Sequence, residues 1–159
     1  LWQKGDRPEA ALAYFHRVID RHPDGRTVDD AEWAAARIYL RRQAWDRAIP
    51  LLDRLAARVD ASWMVGTLNS PHASKARFEL GWIHLLFLDD YAEAIDHFEQ
   101  YLSDFPRNRR TDDSVWHLAH AHRLAGDMRA YRRALERLIE KYPESRYVER
   151  ARQQLEMMQ

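Results

Sequence analysis

The residues best equipped for chemistry crowd into one stretch. His117, His120 and His122 lie within HLAHAHR, and clustered imidazoles are potential ligands for a transition metal. His117 and His120 are three apart and share a helical face, a spacing that can serve zinc. His122 falls at a slot that faces the interior of a helical hairpin, so closing a site would require a ligand from another helix. His16, His22, His72 and His97 have no neighbour at ligand spacing. Neither a metal site nor a cofactor is read from this pattern. Paired carboxylates at Asp29-Asp30, Asp89-Asp90 and Asp112-Asp113 could serve acid/base work or cation binding, but each pair falls at a turn or helix start, where capping and the helix dipole account for it. Ser62, Ser70, Ser74, Ser103, Ser114 and Ser145 sit in loops, caps or helix starts without a G-x-S-x-G setting. The five glycines are scattered singly, so no phosphate-cradling loop exists. No catalytic residue is assigned, and the chain is read as not an enzyme.

The elements that position these residues follow from composition and period. A chain of 159 residues, 46% apolar, can bury one continuous core, and a single domain is expected. Lys+Arg and Asp+Glu are both 25, which leaves no surplus of cations for phosphates, so nucleic acid is not an expected partner. With no cysteine there is no disulfide framework and no thiolate chemistry. The longest apolar run, Ile83 to Leu88, is broken by His84, and nothing approaches the roughly 20 apolar residues of a membrane-spanning helix.

Self-similarity organises the rest. Ala11, Phe15, Val18 and Ile19 recur as Ala48, Leu52, Leu55 and Ala56, then as Ala94, Phe98, Tyr101 and Leu102, and finally as Tyr131, Leu135, Leu138 and Ile139, at offsets of 37, 46 and 37 residues. Spacing of i, i+4, i+7 and i+8 defines one face of an amphipathic helix. A second set precedes it in each unit: Trp33, Ala36 and Tyr39 correspond to Phe78, Gly81 and His84 and to Trp116, Ala119 and His122. Turn signals at Gly5-Asp6, Gln43-Ala44, Asp89-Asp90 and Gly126-Asp127 split each unit into two helices. Loops opened by Pro23-Asp24-Gly25, Pro106-Arg107-Asn108 and Pro143-Glu144-Ser145 separate the units.

With these positions in hand, ARFELGWIHLLFLDDYAEAIDHFEQYLSDFP and SVWHLAHAHRLAGDMRAYRRALERLIEKYP resemble tetratricopeptide repeats. The resemblance implies an all-α, right-handed α-solenoid of antiparallel helical hairpins with a C-terminal capping helix. It divides the chain into a partial repeat at 1–23, repeats at 28–61, 71–106 and 111–143, and the capping helix at 145–158, whose apolar stripe is Tyr147, Val148, Ala151, Leu155 and Met158. Two departures stand out: Tyr131 replaces the small residue expected where the paired helices cross, and Asp60 stands where the second repeat should close on proline. The loop style is similar to a bacterial envelope subfamily that includes the lipoprotein of the barrel-assembly machinery and the Tol-Pal coordinator. That implies a periplasmic or outer-membrane-associated protein, with the cytoplasm as the alternative.

In this family the first helix of each hairpin lines the concave groove. Carried over by position, Asp30, Trp33, Arg37, Leu40 and Arg41, then Lys75, Phe78, Trp82 and Leu85, then Asp113, Trp116, His120 and Arg123 would face a partner. The resemblance thus implies a protein-protein interaction scaffold whose groove residues are Trp33, Arg37, Arg41, Phe78, Trp82, Trp116, His120 and Arg123. Trp and Arg dominate binding hot spots, so a peptide with apolar anchors and some acidic residues suits them. The same aromatics could instead pack successive hairpins against one another.

Leu1 and Trp2 align late in a first helix, so an excerpt of a longer repeat protein is expected, or self-association through that end. The offset of 46 places about nine extra residues around Ser62 to His72, with Ser70-Pro71 opening the next helix. The apolar Trp63, Met64, Val65 and Leu68 form either a lid over the local core or a lip that touches a partner. The alternatives to a scaffold are a helical-repeat accessory domain of a larger enzyme and a self-assembling structural protein.

Overall fold

The turn residues named above set the architecture. Gln43, Asp89 and Gly126, which correspond through the repeat, all adopt positive φ, at 55°, 51° and 83°. That left-handed conformation ends a helix and reverses the chain. At Gly126 the N–H bonds the Arg123 carbonyl while the next N–H, of Asp127, reaches back to His122; Gln43 and Ala44 make the same pair of bonds to Leu40 and Tyr39. Both are Schellman closures. Asp90 and Asp127 then cap the following helices, their side chains accepting from the N–H groups of Glu93 and Ala130. The middle turn is one residue longer, since the Asp90 N–H reaches His84.

The structure, a computed structural model, describes residues 8–22, 26–58 and 70–158, except for the side chain of Arg26. All regular structure among these residues is helical: α1 (Pro8–Arg21), α2 (Arg26–Arg41), α3 (Trp45–Ala57), α4 (Ala73–Leu86), α5 (Tyr91–Asp104), α6 (Thr111–Leu124), α7 (Met128–Lys141) and α8 (Val148–Glu156). The turn at Gly5-Asp6, the loop at Pro23-Asp24-Gly25, Asp60 and the apolar 62–69 stretch lie outside the described residues. The helices fall into two compact units, Leu1–Arg77 and Phe78–Gln159.

In the first unit α2 and α3 form a hairpin. Ala35, Ala36, Ala48, Leu52 and Leu55 are buried along their facing stripes, and α1 packs against α2. A polar group lies within this apolar layer. Glu32 is 1% exposed, and its two carboxylate oxygens accept from Arg54 Nε and Arg58 Nη1, each at 2.6 Å. Arg58 also reaches Asp29. Burying a carboxylate is costly unless it is paired, so these arginines are what make Glu32 tolerable there.

In the second unit Phe78, Phe98, Tyr101, Leu118, Leu135 and Leu138 form the centre of the core. Small residues set how closely the paired helices approach: a Cβ on Gly81 would lie 2.9 Å from the Phe98 ring. Tyr131, where a small residue is expected, is buried all the same. Its hydroxyl donates to Gln154 Oε1 at 2.9 Å, so α8 supplies the partner that a buried phenol requires. Helix α8 packs on α7; Tyr147, Val148 and Ala151 are buried at its start, with Leu155 and Met158 at the margin of the core. The loops repeat as faithfully as the helices. The bonds Phe105 to Tyr101, Asn108 to Phe105 and Thr111 to Asn108 return as Tyr142 to Leu138, Ser145 to Tyr142 and Val148 to Ser145.

Candidate functional site

Each first helix places one aromatic ring where the loop entering the next helix folds over it. In the first unit Trp33 lies parallel to His72, with centroids 5.4 Å apart and planes within 9°, and Lys75 Nζ sits 5.8 Å from the Trp33 ring centre. His72 is held by a 2.8 Å bond between its Nε2 and Asp30 Oδ1. The Ser70 hydroxyl accepts from the His72 N–H, fixing the short turn that leads into α4. In the second unit Arg110 covers Phe78 at 4.8 Å, and Tyr147 stacks on Trp116 at 4.8 Å and 7°. His72, Arg110 and Tyr147 each immediately precede the first residue of a first-type helix, Ala73, Thr111 and Val148. One structural slot is therefore filled by three different side chains, each adding stacking or cation–π attraction of about 0.5–1.5 kcal/mol beyond burial.

The groove candidates divide by how much surface they keep. Phe78 is 7% exposed, its ring edge-on to Phe98, Tyr101 and His117; Leu85 is buried as well. Trp33, Trp82, Trp116, His120 and Leu40 are half-buried, while Arg37, Arg41, Lys75 and Arg123 are exposed. Arg41 Nε donates to the Arg37 carbonyl. Trp116 meets His120 edge-on at 4.6 Å, and Arg123 lies 3.5 Å from His120 Nδ1. Burial, followed by the nearby Arg123 charge, lowers the His120 pKa.

Within the second unit two of these residues, Phe78 and Trp82, border a cleft of about 300 Å³. Phe78, Glu79 and Trp82 of α4 form one wall, Asp113 and His117 of α6 the other, and Arg110 and Arg146 enter from the loops. Burial raises the Glu79 pKa, opposed by the Arg110 charge, whose Nη1 is 3.6 Å away. Arg146 donates to Asp113 Oδ1 at 2.8 Å and to the Tyr147 hydroxyl at 2.6 Å. His117 lies nearly parallel to Phe98 at 5.8 Å. Burial, with His120 nearby, brings its pKa down to about 4, so it lines the cleft as a neutral imidazole at neutral pH.

Chemically, the cleft offers an aromatic face, two guanidiniums already oriented by carboxylates, and a neutral ring. That is equipment for holding a polar backbone with an apolar side chain. Among the described residues, no group of three or more His, Asp or Glu could hold a metal ion. In the sequence His117 carries a signal only as a metal ligand, and Glu79, Arg110 and Arg146 carry none of their own. The register shared by His72, Arg110 and Tyr147 is the signal that could have found Arg110.

No curated protein matches the chain. Among solved structures it is similar to PilW, a widely conserved type IV pilus biogenesis factor, with a TM-score of 0.65 and 20% identity; the match covers 91% of this chain and 59% of that one. The chain thus spans less than two thirds of PilW, and the likeness shows the fold. Models of the tetratricopeptide repeat match residues 1–63 and 34–109, and a second such model matches residues 113–145. Repeats of this kind mark a protein-protein interaction scaffold. Matched by repeat models over most of its length, and built from hairpins whose turns, loops and crossing positions recur in register, the chain belongs to the tetratricopeptide repeat family.

Proposed function

We propose that the chain holds a segment of a partner protein along its first helices, with the cleft between α4 and α6 as the principal site, in an assembly of the bacterial cell envelope. The observation that carries this reading is the cleft itself, where half-buried Trp82 stands beside Arg110 and Arg146. A peptide side chain laid on Trp82 buries apolar area, while the guanidiniums and His117 satisfy peptide carbonyls or an acidic side chain. In the second unit Trp116 contributes its remaining open edge and Arg123 supplies positive charge along α6; in the first unit Trp33, Arg37 and Arg41 of α2 are the corresponding contact residues. Phe78 supports the wall from inside. The envelope role is supported by the loop style, and by the fold shared with a pilus biogenesis factor.

The experiment is a pull-down from the native organism with the intact protein and with a Trp82→Ala/Arg146→Glu variant whose helicity is verified by circular dichroism. Selective loss of a partner in the variant supports the cleft. Undiminished capture refutes it as the binding site.

A further inference from the structure

A second surface of the C-terminal unit is built differently from the cleft. Leu86, the last residue of α4, with Phe87 and Leu88 after it, and Leu124 and Met128, which flank the corresponding turn between α6 and α7, are each between 41% and 49% exposed. They are five of the seven exposed large apolar residues among the described residues, and all five lie in or beside the two turns that close hairpins of this unit. Single exposed apolar residues are ordinary, whereas a concentration of them marks an interaction surface. Phe87 is held at the turn by an edge-to-face contact with Trp82 at 5.7 Å.

Charge specifies what the surface would accept. From Phe78 to Pro106 the chain contains no Lys or Arg but seven Asp and Glu. Asp89 lies in the apolar turn itself, and Glu93 and Asp96, three apart, carry its negative charge onto one exposed face of α5. No Lys or Arg is paired with any of the three among the described residues: Asp89 accepts from the Tyr91 hydroxyl and Asp96 from Gln100. Acidic residues left without cations beside exposed leucine and phenylalanine call for a partner that supplies both apolar side chains and positive charge. An anionic lipid surface would be repelled by this stripe.

We infer that this edge, formed by Leu86, Phe87 and Leu88 with Asp89, Glu93 and Asp96, docks a segment of a partner protein whose apolar residues are bordered by lysine or arginine. The edge adjoins the cleft, Phe87 resting on Trp82 of its wall, but carries the opposite charge to Arg110 and Arg146, so the two surfaces take chemically different segments.

The test is site-specific photocross-linking in the native organism, with p-benzoylphenylalanine replacing Phe87 in the full chain and the cross-linked peptides sequenced by mass spectrometry. The expected adducts come from one partner protein and contain an apolar run bordered by Lys or Arg. Reversing charge with Glu93→Lys and Asp96→Lys, in protein of unchanged helicity, should cut adduct yield by about tenfold. Neutralising with Glu93→Gln and Asp96→Asn should cut it less. Arg146→Glu, which changes the cleft, should lower the yield less than the Glu93→Lys and Asp96→Lys reversal does. Adducts confined to lipid, adducts to a second copy of this chain, partner segments without basic flanks, yields indifferent to charge reversal, or no adduct at all would each overturn the proposal.

Discussion

Gly81→Ala tests whether the crossing of α4 and α5 is fixed by matched volumes. In a helix the substitution gains about 1 kcal/mol of backbone propensity, so a gain is the default expectation. The structure predicts a loss instead. The new Cβ would stand 2.9, 3.0 and 3.1 Å from three carbons of the Phe98 ring, against an ordinary separation of about 3.5–4.0 Å. The ring has little room to retreat, since Phe98 is fully buried and packs on Phe78 and His117. Overpacking of this kind costs about 1–3 kcal/mol. The net is a loss of about 1 kcal/mol, or a fall in Tm of about 2–4 °C for a domain of this size. The other hairpins suggest the rescue: the corresponding pairs are Ala36 with Leu52 and Ala119 with Leu135, all fully buried, so alanine faces leucine where glycine faces phenylalanine. In a Phe98→Leu background, itself about 1–2 kcal/mol less stable, Gly81→Ala should therefore stabilise by about 1 kcal/mol. The coupling between the two sites is then about 2 kcal/mol, readable by urea denaturation followed by circular dichroism with an unchanged m-value. Equal effects of Gly81→Ala in both backgrounds would refute the volume argument.

Three further outcomes are expected. Glu32→Ala should destabilise the N-terminal unit by about 1–3 kcal/mol, discounted because Arg54 and Arg58 are partly exposed and can rehydrate, while Glu32→Gln should cost less; urea denaturation followed by circular dichroism checks both. Because burial lowers the His117 pKa to about 4, the unfolded chain binds a proton below about pH 6.5 that the folded chain refuses, so stability should hold above pH 6.5 and fall between there and pH 4. His117→Gln should flatten that slope, and the NMR titration of the His117 ring should show a midpoint near 4. Gln43→Gly should stabilise by about 0.5–1 kcal/mol by relieving positive φ, and Gly126→Ala, whose Cβ meets nothing within 4 Å, should cost about 1 kcal/mol from backbone conformation alone. Thermal melts of the two variants decide the sign.

The helices and turns were legible because they depend on local rules. The i, i+4, i+7, i+8 sets at Leu52, Phe98 and Leu135 fix the buried face of a helix whatever it packs against. The turns at Gln43, Asp89 and Gly126 close through bonds between residues within six positions in the chain. The site was less legible because its geometry depends on residues far apart in sequence. Positional correspondence put Trp33, Phe78 and Trp116 in one slot correctly, yet it carried no information about how much of each ring remains accessible. That depends on the covering residue, separated by 39 positions for Trp33 with His72, 32 for Phe78 with Arg110 and 31 for Trp116 with Tyr147. A pattern search that requires the same chemistry in every repeat overlooks such a slot, because an imidazole, a guanidinium and a phenol share no residue class.

What they share is a flat face and a position at the start of a helix. Any planar side chain placed there can lie on the ring beneath it, so the fold requires a shape and leaves the charge free. That freedom matters for the cleft. With Arg110 in the slot, the covering group is itself a cation, 3.6 Å from a partly buried carboxylate on Glu79. With Tyr147 in the slot, Arg146 beside it turns to Asp113. Both arginines of the cleft thus belong to the loops that join hairpins, and their orientation follows from the same stacking that covers Phe78 and Trp116. Replacing Arg110 with histidine, as at His72, would preserve a flat cover while removing the fixed charge, which separates the packing role of this position from its electrostatic one.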